Sequence, residues 1–234
     1  SCSIFIQNID RNKEMTPDEI VDYKAQARFV RAYFYWKLLQ KYGPIPIIPN
    51  DGVMDYNAAY EDLYIPRSTY DDCVNYIAEE MKLAAKDLPL KRDTRNMARP
   101  TRGAALSLRS RVLLYAASPL FNGKAPAEVI AALVDKKWKK LLSDTYDERK
   151  WAIAAAAAKD VIELGKYQLY VAYKSEGGSS LSDPATITPP DDEGTFHSNP
   201  WPKGWQNIDP FKSYRALFDG EVSAYGNSEI IFTR

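Results

Sequence analysis

Histidine is almost missing from this sequence: one, His197, stands in 234 residues. A zinc site built on several imidazoles is therefore excluded within this chain. Cysteine is nearly as scarce, with only Cys2 and Cys73. Two thiols do not make a disulfide framework, although a single bridge stays open. Cys73 falls in a predicted helix and reads as a small buried hydrophobe. Cys2 reads as a lipid attachment point or as an ordinary residue. There is no Gly-x-Ser-x-Gly elbow and no glycine-rich phosphate cradle, so the common hydrolase and nucleotide-binding signatures are absent. Charge of either sign is not in excess: 31 basic residues balance 31 acidic ones. No basic block stands out, which disfavours a nucleic-acid partner. No apolar run reaches the length of a membrane span, and no signal-peptide pattern opens the chain.

Aromatics are plentiful, with 16 Tyr and 5 Trp. Several crowd residues 25–48, where a helix carries apolar residues on more than one side, stops at Gly43 and meets Pro44. A helix apolar most of the way round is expected to be buried by other helices. Its start is marked by Thr16, Pro17 and Glu19, a capping threonine with proline at the first helical position and a glutamate in the capping-box place. Gly43 suits a left-handed C-cap. A second helix is expected over 67–88, capped by Ser68, with Tyr70, Val74, Ile77, Met81, Ala84 and Leu88 on its inner face. A third is expected over 101–118, with Ala105, Leu108, Val112 and Tyr115 inside and Arg102 and Arg109 outside. A fourth, over 148–164, is expected to open on a Thr145–Glu148 capping box and close at Gly165. Ala127–Leu133 reads as a short helix, and Lys136–Leu142 as helix or strand.

These four helices form two successive antiparallel pairs. The fold class is mainly all-α, with tetratricopeptide-like stacking but without the consensus residues or strict period. The expected organisation is a helical scaffold over 1–173 and a loop-rich segment over 174–234. That segment is longer than the roughly 15 residues beyond which a loop is usually functional or disordered. Its aromatics argue against simple disorder. The closing Glu229–Phe232 reads like a strand, and the ends of the chain read as those of a fragment.

Three segments carry a resemblance. They are Ala27–Trp36 with Tyr42-Gly43-Pro44-Ile45-Pro46, Pro66–Tyr70, and Arg99–Leu106 continuing through Leu113–Ala116. In this order they resemble the SusD/RagB family of Bacteroidetes outer-membrane proteins, and Asn227–Phe232 is similar to a recurring family phrase. The resemblance implies a lipid-anchored protein on the outer face of the outer membrane. It would bind oligosaccharide without catalysis and deliver it to a SusC-like TonB-dependent transporter. No cofactor is implied, and the membrane would be met only through a lipid anchor absent from this chain. Cys2 lies too near the first motif to be that anchor. The family's C-terminal half is expected to be missing.

For ligand contact the sequence nominates Trp201 and Trp205, with Tyr214 and Asp209 behind them. A pyranose stacks its C–H face on an aromatic plane while amides and carboxylates take its hydroxyls. Asn199, Gln206 and Asn207 could serve beside Asp209. The competing reading of Trp201 and Trp205 is that both fasten the loop to the scaffold. Trp36 and Trp151 read as core. Tyr56, Tyr60 and Tyr64 read as a packing stripe, and Asp191-Asp192-Glu193 as a solvated acidic run. Arg28 and Arg31 are expected to pair with carboxylates or cap carbonyls. No catalytic residue and no metal ligand is singled out. A glycosidase needs only two placed carboxylates, but no pair stands out. The alternative function is a helical-repeat scaffold that binds a peptide or a partner subunit.

Overall fold

The computed structural model describes residues 2–50, 57, 59, 61, 64–174 and 198–232. Tyr56, Tyr60, Asp191-Asp192-Glu193 and His197 lie outside the described residues. The chain divides into two units, one reaching to Leu164 and one spanning Gly165–Thr233.

The first unit is built from α1 (Cys2–Asn8), α2 (Pro17–Tyr42), α3 (Tyr70–Asp87), α4 (Arg102–Ala117), α5 (Ala127–Ala132) and α6 (Arg149–Glu163). α2 packs on α3, α3 on α4 and α4 on α6, while α1 lies on α2. Contacts at the helix ends fix the directions. Arg92, just past α3, reaches back to Asp22 near the start of α2. Phe121, just past α4, stacks flat on Tyr70 at the start of α3 with 4.0 Å between ring centres. Neighbours in the stack are therefore antiparallel, which is the tetratricopeptide-like arrangement.

α2 starts where its capping box predicts: the Thr16 hydroxyl accepts the Glu19 N–H, and Glu19 accepts the Thr16 N–H at 2.8 Å. Its end differs in detail. Gly43 has φ 68° and ψ −150°, a region open to glycine alone rather than the left-handed helical one. α3 begins later than expected, at Tyr70. Its cap is Thr69 paired with Asp72, not Ser68. The six inner residues read from its periodicity are all buried, and so is Cys73. No disulfide joins the described cysteines: both Cys2 and Cys73 are free.

Several further expectations are corrected in this unit. α2 is not buried all round. Phe29, Ala32, Trp36 and Leu39 face the core, while Val30, Phe34, Leu38 and Tyr42 recur every four residues on an exposed side. α2 stands at one end of the stack, where α3 packs on its inner side and the short α1 also lies on it, and this row is left exposed. Tyr115 lies half out of the inner face of α4, although its ring meets Trp36 edge-on at 5.1 Å. Arg109 is not outward, since its guanidinium bridges α4 to Asp160 of α6 at 2.9 Å. Trp151 is not core either. α6 is the far end of the stack, Ala154 and Ala157 are its buried residues, and Trp151 remains 41% exposed.

The Thr145–Glu148 capping box does not form. The residue before α6, Glu148, makes no side-chain cap, and Thr145 Oγ1 donates to Asp144 instead. Residues 136–142 are neither helix nor strand: an isolated bridge pairs Val134 with Lys140 around a tight loop.

In the second unit an extended stretch after Gly165 is laced to two later segments. Gln168 N–H donates to the Ser228 carbonyl, and Tyr170 N–H donates to the Glu229 carboxylate at 2.8 Å. Farther on, Ala172 N–H donates to Ser213 Oγ, and Asp209 N–H donates to the Ala172 carbonyl. Ala172, Ile208 and Ala216 are its buried apolar residues. The expected strand at 229–232 does not form among the described residues; that role falls to loose lacing. One short helix, α7 (Pro210–Arg215), stands among the described residues of this unit.

Candidate functional site

All four nominated residues lie in the second unit, in or beside one loop and α7. The loop folds on its own backbone: Lys203 and Gly204 N–H both donate to the Pro200 carbonyl, and Gln206 N–H donates to the Asn199 carbonyl. Asn207 Oδ1 accepts the Trp201 N–H at 2.8 Å, and the Trp201–Pro202 peptide is cis. Trp201 and Trp205 are both half-buried. The Lys174 ammonium stands 5.3 Å over the Trp205 ring and donates to the Gln206 carbonyl at 2.9 Å. Half-burial leaves part of each ring in solvent while the backbone bonds hold the loop.

Asp209 has a structural task that its nomination did not foresee. It is the N-cap of α7, and its Oδ1 accepts the Lys212 N–H at 2.8 Å. Asn207 likewise spends Oδ1 on Trp201. Asp209 Oδ2 and Asn207 Nδ2 take no part in these two bonds.

Tyr214 is 69% exposed on α7, with its ring 5.0 Å from Phe218, itself 72% exposed. With Phe211, Arg215 and Asp219 they line an open cleft of about 430 Å³. Arg215 donates to Asp219 at 2.9 Å and to Glu221 at 3.1 Å. The Glu221 N–H, and then the guanidinium, hold the Asp219 carboxyl below its usual range. Two exposed rings beside an immobilised guanidinium and two carboxylates give an apolar plane with fixed polar groups around it. Sequence reasoning nominated Tyr214 and missed Phe218, Arg215 and Asp219. The signal available was the four-residue spacing of Tyr214 and Phe218 and of Arg215 and Asp219.

Residues 2–114 match the model of a SusD-like family described as starch-binding and associating with the outer membrane. The chain is SusD-like. A solved protein, BT4246, is 32% identical to it, with a TM-score of 0.64 over 72% of this chain and 29% of its own. A SusD-like protein of Bacteroides fragilis is 25% identical, with a TM-score of 0.52 over 72% of this chain and 25% of its own. Surface glycan-binding protein A of Bacteroides uniformis is 19% identical and shares the fold, with a TM-score of 0.50 over 72% of this chain and 30% of its own. The SusD-like chain thus spans under a third of the length of these solved proteins. No curated protein matches it.

Proposed function

We propose that this SusD-like chain belongs to a non-catalytic protein of the cell surface. It binds oligosaccharide and hands it to a TonB-dependent transporter of the outer membrane, where a lipid anchor holds it. The observation that carries this reading is the presence of exposed or half-exposed aromatic rings, Trp201, Trp205 and Tyr214, beside fixed polar groups in the unit after Gly165. Such rings offer planes for pyranose faces, and the adjoining amides and carboxylates suit hydroxyls. The family's description as starch-binding supports the ligand class. In this division of labour residues 1–173 are scaffold, and those from 174 on meet the ligand.

Calorimetry of the protein against a panel of oligosaccharides tests the reading. Binding of at least one glycan is expected, and its loss in the Trp201→Ala/Trp205→Ala double variant. Unchanged binding by that variant would remove both residues from the site. Binding of no glycan at all would remove the function.

A peptide- or subunit-binding scaffold is the second reading. It is favoured by the exposed row Val30, Phe34, Leu38 and Tyr42 on α2. A peptide whose binding is abolished by Phe34→Ser, with no glycan bound, would support it.

A further inference from the structure

Lys174 meets the Trp201–Asn207 loop in three ways. Its N–H donates to the Asn207 carbonyl at 3.1 Å. Its ammonium donates to the Gln206 carbonyl at 2.9 Å and stands 5.3 Å over the Trp205 ring. The first of these bonds belongs to the backbone and the other two to the side chain, so their tasks can be separated.

The backbone bonds already hold the stretch in register. Tyr173 pairs with Ile208 across an isolated antiparallel bridge, and the Asp209 N–H donates to the Ala172 carbonyl at 2.8 Å. Ala172 and Ile208 are both buried there. None of this needs an ammonium at position 174. What the ammonium adds is a hold on one indole. The Trp205 backbone is fixed through its carbonyl, which accepts the Ile208 N–H at 3.2 Å. Its ring makes no other cation or ring contact among the described residues. A half-buried indole on a loop has several staggered rotamers to choose from, and freezing them when a ligand arrives costs affinity. A cation laid on the ring face selects one of them beforehand. The Gln206 carbonyl, one residue along, keeps that cation in place.

The two tryptophans are therefore not equivalent. Trp201 is held through its N–H by Asn207 Oδ1, and no cation lies over its ring among the described residues. We propose that Lys174 is a positioning residue of the glycan site, whose ammonium fixes the Trp205 indole so that a pyranose stacks on the ring face turned away from it. Lys174 acts in this way only if the glycan reading above holds. The ammonium covers one face, so the sugar is confined to the other, and the ring is ordered before the ligand arrives.

Calorimetry tests the proposal, using the oligosaccharide of the panel that the unaltered protein binds most tightly. Lys174→Met keeps an unbranched stem and the backbone N–H but loses the charge. It should weaken binding about fivefold. Lys174→Arg, which again lays a cation on the indole, should recover most of that loss. Acrylamide quenching of tryptophan emission reads the ring without any ligand. The share of emission that Trp205→Phe removes should become more quenchable in Lys174→Met, and the share that Trp201→Phe removes should not. Unchanged affinity of Lys174→Met for a glycan that the unaltered protein binds would overturn the proposal. Tighter binding would overturn it as well, since the ammonium would then obstruct the ring. So would a rise in quenching at both tryptophans, which would mean that the whole loop had loosened. Binding of no oligosaccharide by the unaltered protein is a different failure: it removes the glycan reading, and the role of Lys174 with it.

Discussion

The side-chain amide of Asn122 holds the backbone of Asp147 by both of its ends. Nδ2 donates to the Asp147 carbonyl at 2.9 Å, and Oδ1 accepts the Asp147 N–H at 2.8 Å. Asn122 is fully buried just past α4, so this clasp ties the end of α4 to the start of α6. It stands where α6 lacks a side-chain cap of its own. Asn122→Ala removes both bonds and leaves part-buried backbone groups unpaired. A loss of about 3 kcal/mol is expected, read as a lower urea midpoint at unchanged slope.

The next residue explains why the approach can be so close. Gly123 has φ 73°, and a Cβ there would lie 2.3 Å from both the Thr145 carbonyl carbon and the Tyr146 nitrogen. Those are backbone atoms that cannot swing aside. Gly165 has a similar φ of 59° but open space around it. Gly165→Ala should cost only the conformational penalty, about 1–2 kcal/mol. Gly123→Ala should cost clearly more, with the difference in denaturation midpoints measuring the steric part.

Arg31 and Glu80 form the tightest ion pair of the core, at 2.6 Å with both side chains buried. Arg28 joins Glu80 from the half-exposed side at 3.1 Å, and Arg31 also donates to Ser3 of α1. One carboxylate thus joins two guanidinium groups of α2 to α3. Glu80→Gln leaves a buried guanidinium without its counter-charge, for about 3–5 kcal/mol. Arg28→Gln should cost much less, because water already reaches Arg28. Equal effects in chemical denaturation would show that Arg31 is not the partner that matters.

The stack of helices was legible because its signals are local. The Thr16 box and the inner row of α3 each involve residues about a turn apart. The failures share a cause: they depend on what lies across space. Trp151 has the composition of a core residue, and only the place of α6 at the end of the stack exposes it. The row Val30, Phe34, Leu38 and Tyr42 is exposed for the same reason. Thr145 and Glu148 have capping-box spacing, but Asn122, 25 residues upstream, takes over the start of α6. In the second unit composition alone nominated the Trp201–Asp209 segment. The tasks of Asp209 and Asn207 were not, since caps and loop bonds are set by backbone geometry.

Stability should fall at both ends of the pH scale for identifiable reasons. The Glu19 carboxyl sits below the usual carboxylate range, held first by the Thr16 N–H and then by the Thr16 hydroxyl. Its contribution is complete above the unfolded value and is lost as pH falls through the lower folded one. Thr16→Ala should cost about 1 kcal/mol near neutrality and flatten the acid limb. At the alkaline end, burial pushes the Tyr76 phenol up to about 12. The fold therefore disfavours its ionised form, and stability should decline between the unfolded value near 10 and about 12. Tyr76→Phe should blunt that decline. Denaturation midpoints across both ranges check the two claims.

The cleft on α7 makes a separate demand on the glycan reading. Tyr214 and Phe218 expose their rings side by side, and Arg215 is held by Asp219 and Glu221. If sugar stacks there, Tyr214→Ala should weaken glycan binding about tenfold, the size of one ring contact together with its buried area. Arg215→Lys, which keeps the charge and loses the planar fork, should weaken it less than Tyr214→Ala while leaving helix content unchanged. The rim holds two carboxylates against one guanidinium, so uronate-bearing oligosaccharides should bind more weakly than neutral ones of the same linkage. Calorimetry on the two variants and the two ligand classes decides. Glycan binding that disappears in Trp201→Ala/Trp205→Ala yet ignores Tyr214→Ala would place the ligand on the preceding loop and leave the cleft outside the site.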